Sequence, residues 1–178
     1  MNIKLQTVCN DTFIKAPFGR VRIAIHDHQL MIELLALPAD VKVLPSHAEV
    51  TLEAASTHPL LILVSQQVLQ YLQHASSTFD LATQQDGTAF QKKVWQAIAA
   101  IPCGQTRTYS ELAQQIGSGP RAVANACGAN RLPLLIPCHR VVAKSGLGGF
   151  MQGTHNGLLI KQWLLQHESS MSGGGRHE

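Results

Sequence analysis

The chain has 178 residues, 45% of them hydrophobic, which is enough apolar material for one ordinary domain or two small ones and excludes a disordered polymer. A net charge of +3, from 14 Lys+Arg against 11 Asp+Glu with no basic run, permits a nucleic-acid partner through a folded surface and excludes a basic tail as the means. Cys9, Cys103, Cys127 and Cys138 form no C-x-x-C pair or zinc spacing, and no apolar run has signal-peptide or membrane-span length, so the expectation is free thiols, no metal, no membrane and a cytoplasmic (in a eukaryote, nuclear) setting.

Pro17-Phe18-Gly19 is a loop signal. Arg20 to Ile25 then alternates polar and apolar residues and predicts a half-buried strand. Asp27-His28-Gln29 predicts a turn, and Leu30 to Leu37 a second strand ended by Pro38. His26 and His28 read as exposed turn residues, since no further ligands accompany them. Leu60 to Leu72 predicts a helix, with Leu61, Val64, Val68 and Leu72 on one stripe. Ala75 to Asp86 is polar and small, as a linker would be. The reading is therefore an α+β chain: a scaffold domain over residues 1–80, a mostly helical domain over 81–168, and a loose tail over 169–178.

The second half opens with Thr88 and Gln91, spaced as a capping box, before a helix whose apolar face is Phe90, Val94, Ala97 and Ile98. Ile101-Pro102-Cys103-Gly104 stops it. Thr108 and Glu111 form a second capping box, followed by Leu112, Ala113 and Ile116. Gly117-Ser118-Gly119 ends that helix, and Pro120 starts a third, rich in Ala and Gly and headed by Arg121. Two short helices about a glycine turn have helix-turn-helix spacing. A helix lined with small residues can lie close to a DNA groove yet offers few base-reading donors, which points to sequence-tolerant binding. Tight packing against a core explains the same composition.

Ile136-Pro137-Cys138-His139-Arg140-Val141-Val142 sets a cysteine beside a histidine between apolar flanks, and reads as extended. It is either a buried structural cysteine or a reactive one. A glycine-dense loop from Gly146 follows, then a final helix from Leu158 to His167. Glu168 lies at i+4 steps from Ile160 and Leu164, so it projects on the apolar side and needs a partner; His139 is the candidate.

These residues resemble the O6-alkylguanine-DNA alkyltransferase family. The motif around Cys138 is similar to its active-site run, Gly87-Thr88-x-Phe90-Gln91-x-x-Val94-Trp95 to its opening helix, and Arg121-Ala122-Val123 to the start of its recognition helix. Asn130 resembles its hinge asparagine, and Lys161-x-Trp163-Leu164-Leu165-x-x-Glu168 its last helix. The resemblance covers residues 87–168. It implies a winged-helix-like DNA-binding half, no cofactor, a monomer, and double-stranded DNA containing O6-alkylguanine as partner.

It also implies single-turnover transfer of the alkyl group to Cys138, from O6-alkylguanine and in some members O4-alkylthymine. Asn130, His139 and Glu168 are then the partners of Cys138. Tyr109 serves the flipped nucleotide, Thr108, Arg121, Ala122 and Ala126 face DNA, and Pro133, Val141, Gly149 and Phe150 line the base pocket. A lesion-binding protein without transfer is the alternative, against which Cys138 itself stands.

The residue types support the same chemistry, because a thiol must lose its proton to attack carbon. In an extended segment Cys138 and His139 face apart, so the proton would pass through a water. Three features depart from the family pattern. Phe150 stands where a tyrosine is expected, the interval to Lys161 is longer, and the segment before Arg121 is shorter.

Overall fold

The computed structural model describes residues 11–38, 49–81, 85–151 and 156–169. The first half is an antiparallel sheet in the order β3-β2-β1-β4, from β1 (Asp11–Ala16), β2 (Gly19–His26), β3 (Gln29–Ala36) and β4 (Thr51–Ala54). Period-two alternation gives it two faces. Ile14, Val21, Ile23, Ile32 and Leu34 are buried, while on the other face Arg22 bridges Asp11 and Glu33, each at 2.8 Å. Two-residue turns join β1 to β2 and β2 to β3, and in the second Asp27 and His28 both take positive φ (49° and 62°), the mirror-image turn that matches strand twist.

β1 and β4 were not anticipated from the sequence. Pro17-Phe18, read as a loop before the first strand, is instead the hairpin turn between β1 and β2. Phe18 is fully buried there, with its ring edge-on to Trp163 at 5.2 Å.

α1 (Pro59–Gln73) lays the stripe Leu61, Val64, Val68 and Leu72 against this sheet, as its periodicity required. The segment after it is polar but tied down where it is described. Asp80 donates its backbone N–H to Gln67 Oε1 at 2.8 Å, Phe79 packs on Tyr71, and Ala75 is buried.

α2 (Ala89–Ala99) and α3 (Tyr109–Ile116) start on the two predicted capping boxes, Thr88–Gln91 and Thr108–Glu111, with both reciprocal bonds present in each. Each box satisfies two backbone donors that the helix leaves orphaned. Gly117 ends α3 at φ 71°, a left-handed cap that glycine takes without strain. α4 (Pro120–Gly128) follows and packs on α2 and α3. A 3₁₀ turn (Cys138–Arg140) leads into β6 (Val141–Val142), which pairs in parallel with β5 (Arg107–Thr108). α5 (Gly157–Ser169) closes the described chain, so Ser169 is helical and the predicted loose tail lies, from residue 170, outside the described residues.

One continuous hydrophobic core joins the halves. Trp163 of α5 meets Phe18, and Ile32 of β3 donates its N–H to the Arg131 carbonyl at 3.0 Å. Each large apolar side chain so buried contributes about 1.5–3 kcal/mol. Among the described residues no helix is long and apolar enough to cross a membrane.

Candidate functional site

The residues before Cys138 are shaped by restricted backbone. Pro137 fixes its own φ at −78° and biases Ile136 away from helix. Cys138 N–H bonds the Ile136 carbonyl at 2.7 Å and Arg140 N–H the Pro137 carbonyl at 2.9 Å. The result is a tight 3₁₀ turn rather than the extended segment expected. The expected alternation of Cys138 and His139 across a pleat therefore does not apply. What separates them is burial: Cys138 is half-buried, whereas His139 is fully buried.

Cys138 opens onto a cavity of about 280 Å³ lined by Tyr109, Ala124, Cys127, Gly128, Gly149, Phe150 and Met151. Asn130 donates from Nδ2 to its sulfur at 3.4 Å. Burial pushes the thiol up; the Asn130 bond, the Lys161 ammonium and nearby backbone N–H groups pull the other way without overcoming it. Burial pushes Cys127 up to about 12. Tyr109 is likewise pushed up to about 12 by burial, so its hydroxyl keeps its proton and donates to the Gly149 carbonyl at 3.2 Å.

Behind Cys138 the side chains are closed off from the surface. His139 Nε2 stands 2.8 Å from Glu168 Oε1, with both side chains at 1% exposure or less. Arg140 grips the same carboxylate through Nε and Nη2 at 3.0 and 2.8 Å, Tyr71 donates its hydroxyl at 2.7 Å, and Gly104 its N–H at 3.1 Å. Burial alone would raise Glu168; bonds from His139, Arg140 and Tyr71 outweigh it and hold the carboxyl well below the usual range. Burial lowers His139, and Glu168 only partly restores it, so the imidazole is neutral near pH 7. An ionised carboxylate can only accept, so the imidazole proton sits on Nε2 and Nδ1 keeps a lone pair. Nδ1 is buried and has no hydrogen-bond partner among the described residues.

Lys161 is a buried cation at the cavity's edge. Its ammonium donates to the Val141 carbonyl at 2.6 Å and to Gly149 at 3.0 Å, and burial lowers it to about 8. Gly148 is pressed against the Tyr109 ring at φ 70°, where a Cβ would stand 2.8 Å from Cε2. Any side chain there would displace the loop that closes the cavity.

The DNA-binding-domain model of 6-O-methylguanine DNA methyltransferase matches residues 89–170. A probable methylated-DNA–protein-cysteine methyltransferase of Acanthamoeba polyphaga mimivirus is 52% identical over 84 residues, 46% of this chain and 54% of that one. The methylated-DNA–protein-cysteine methyltransferase of Methanosarcina mazei is 42% identical over 109 residues, 60% of this chain and 67% of that one. Mycobacterium tuberculosis OGT in complex with DNA superposes with a TM-score of 0.65 at 33% identity, covering 89% of this chain and 91% of that chain. The chain belongs to the methylated-DNA–protein-cysteine methyltransferase family. Its matched segment spans about half the length of the mimivirus relative.

Within this family member, Cys138 lies against Asn130, His139 against Glu168, and Tyr109 on the cavity that Cys138 faces. Gly149 and Phe150 line the cavity, but Pro133 and Val141 do not. Pro133 is buried, and Val141 is buried with its carbonyl turned to Lys161. On α4, Arg121 is exposed and Ala122 half-buried, while Ala126 is on the inner side. Ala126 is 2% exposed and its carbonyl accepts from Trp95 Nε1 at 2.8 Å, which makes it a packing residue rather than a DNA-facing one. Thr108 spends its hydroxyl on the α3 cap. Thr154 and His155, in the altered loop, lie outside the described residues.

Sequence reasoning missed Tyr71, Arg140 and Lys161 as members of the site, and Ala124, Cys127 and Gly128 as cavity wall. Arg140 and Lys161 carried a signal, being charges within apolar runs. Tyr71 carried none, because a lone aromatic in an apolar helix has the composition of an ordinary core residue.

Proposed function

We propose that this protein repairs DNA by direct reversal, taking the alkyl group from O6 of guanine onto Cys138 in a single turnover. The observation that carries the reading is the half-buried Cys138 facing a cavity, with a neutral, carboxylate-held histidine behind it whose Nδ1 has no partner among the described residues. Burial keeps the thiol protonated, so it needs a base at the moment of reaction. His139 Nδ1 is that base, reached through one water. Glu168 holds the tautomer and offsets the charge that forms.

The thiolate attacks the alkyl carbon; the S–C bond forms as the O6–C bond breaks, and guanine leaves with its electron pair. Tyr109, protonated up to about 12, turns its O–H from the Gly149 carbonyl to donate the hydrogen bond that receives it. The thioether has no route to hydrolysis, so the protein is consumed. O4-alkylthymine fits the same chemistry as a poorer substrate.

The partner in this reading is double-stranded DNA, bound by a monomer. Residues 81–168 face it and carry the transfer; residues 1–80 brace the site. The lesion lies within the base stack, so the nucleotide must be flipped, at a cost of a few kcal/mol. Arg121, exposed in the first turn of α4 beside the half-buried Ala122, fills the vacancy. Mixing the protein with a duplex carrying one O6-methylguanine tests the reading. Stoichiometric demethylation should accompany methylation of the Cys138 peptide. Turnover, or label on Cys9, Cys103 or Cys127 alone, would overturn it. Arg121→Ala should slow repair of the duplex about tenfold, as expected for a loss of roughly 1.4 kcal/mol, and leave reaction with free O6-benzylguanine within twofold.

A further inference from the structure

Asn130 makes the side-chain hydrogen bond to the Cys138 sulfur, and an amide is useful there only one way round. With Nδ2 toward the sulfur it donates to a thiolate; reversed, it would aim a carbonyl lone pair at a negative charge. Two bonds to its own neighbourhood favour the productive orientation: Leu132 N–H donates to Oδ1 at 2.9 Å, and Nδ2 donates to the Ile136 carbonyl at 2.9 Å. The third comes from far along the chain. Gln85 donates Nε2 to Asn130 Oδ1 at 2.9 Å, and its own amide is fixed because Oε1 accepts the Arg131 N–H at 2.9 Å. The next residue, Asp86, is hydrogen-bonded by Gln29 at the start of β3, which pins this connecting segment to the sheet.

We propose that Gln85 is a positioning residue for the reactive thiol, acting through Asn130. The relay runs from the Arg131 backbone through the Gln85 amide to the Asn130 amide and on to Cys138, with each donor and acceptor assigned by the last. This rests on Cys138 being the alkyl acceptor, and it gives the segment joining the two halves a share in the chemistry. Removing the Gln85 donor takes away one of the three bonds that hold the Asn130 amide this way round, and the Cys138 thiolate then loses its hydrogen bond for part of the time.

Two substitutions separate this role from packing. Gln85→Ala deletes both ends of the clamp. Gln85→Glu keeps the size and the acceptor for Arg131 N–H but presents an oxygen to Asn130 Oδ1, so Asn130 must turn its Nδ2 away from the sulfur. The pH dependence of iodoacetamide labelling at Cys138, read by peptide mass with Cys103 of the same digest as control, reports thiolate formation without DNA. The midpoint should rise by about half a unit in Gln85→Ala and by more in Gln85→Glu, as for loss of a hydrogen bond to a charged sulfur, with Cys103 unmoved. Transfer from O6-benzylguanine should fall about threefold and about tenfold in the same order, to match those shifts.

Unchanged midpoints, or a larger shift in Gln85→Ala than in Gln85→Glu, would overturn the inference. Labelling does not depend on repair, so these outcomes leave the alkyl-transfer reading standing. A wild-type protein that transfers nothing would overturn that reading instead.

Discussion

The two flanks of the Cys138–His139 step differ in how fully their polar groups are satisfied. On the Glu168 side, one buried carboxylate takes bonds from His139, Arg140, Tyr71 and Gly104. On the Cys138 side, the sulfur has one side-chain donor at 3.4 Å, and the His139 Nδ1 between the two has no partner among the described residues. Buried polar groups are normally paired, so an orphan calls for an explanation. The contrast teaches where the site is rigid and where it is available. The saturated flank fixes the imidazole, and the unsaturated flank leaves a base, a thiol and a cavity free for a substrate.

The comparison breaks most completely at Cys138. Cys138→Ala should abolish methyl transfer, by more than about 10⁴-fold if the nucleophile has no substitute, while duplex binding in a gel-shift assay persists. Residual transfer would assign the reaction to another thiol.

Glu168→Gln attacks the saturated flank. It removes the charge that Arg140 and His139 face, and a broken buried pair costs about 3–5 kcal/mol, readable as a fall in the urea midpoint. A wild-type midpoint would show the carboxylate to be dispensable. The same group predicts a pH dependence. Its folded value is depressed, so its stabilisation is fully present above the unfolded carboxylate value of about 4.3 and is lost as pH falls through the lower folded value. Acid unfolding should therefore be less steep in Glu168→Gln than in the wild type, in circular dichroism followed from pH 5 downward.

Tyr71→Phe is gentler, since it removes one of several donors to Glu168. It should lower stability by about 1–2 kcal/mol, as for a hydrogen bond to a charged group, and slow transfer a few-fold. An unchanged denaturation midpoint would remove Tyr71 from the network. The smallest effect belongs to the open flank. Cys127 shares the cavity, but burial keeps its thiol protonated to about 12. Cys127→Ala should change the transfer rate less than about twofold, because an un-ionised thiol does no nucleophilic work. A tenfold loss would make the second thiol part of the machinery.

Much of the site was legible because its parts are local. Capping boxes at Thr88–Gln91 and Thr108–Glu111 are signatures a few residues long, and the structure forms both. The i+4 spacing that put Glu168 on the apolar side of its helix likewise led to His139. The sheet was half legible. β2 and β3 alternate cleanly, whereas β1 was hidden behind Pro17-Phe18 and four-residue β4 is too short to show a period. The extended reading of Cys138 failed because apolar flanks look alike in a strand and in a proline-led 3₁₀ turn. Ala126 misled for a related reason: a small side chain does not declare which face it packs on.

The sequence alone determined the order of the helices, the cysteine–histidine motif and the family it resembles, since each depends on residue types at short spacing. Tertiary structure decided the rest. It brought Tyr71 from α1, Gly104 from the turn after α2 and Arg140 onto one carboxylate, and Gln85 from the connecting segment onto Asn130. Those contacts span separations of 28 to 97 residues, across which no periodic pattern carries information. They form only when one core closes over both halves of the chain and leaves each buried polar group to find the partner that burial demands.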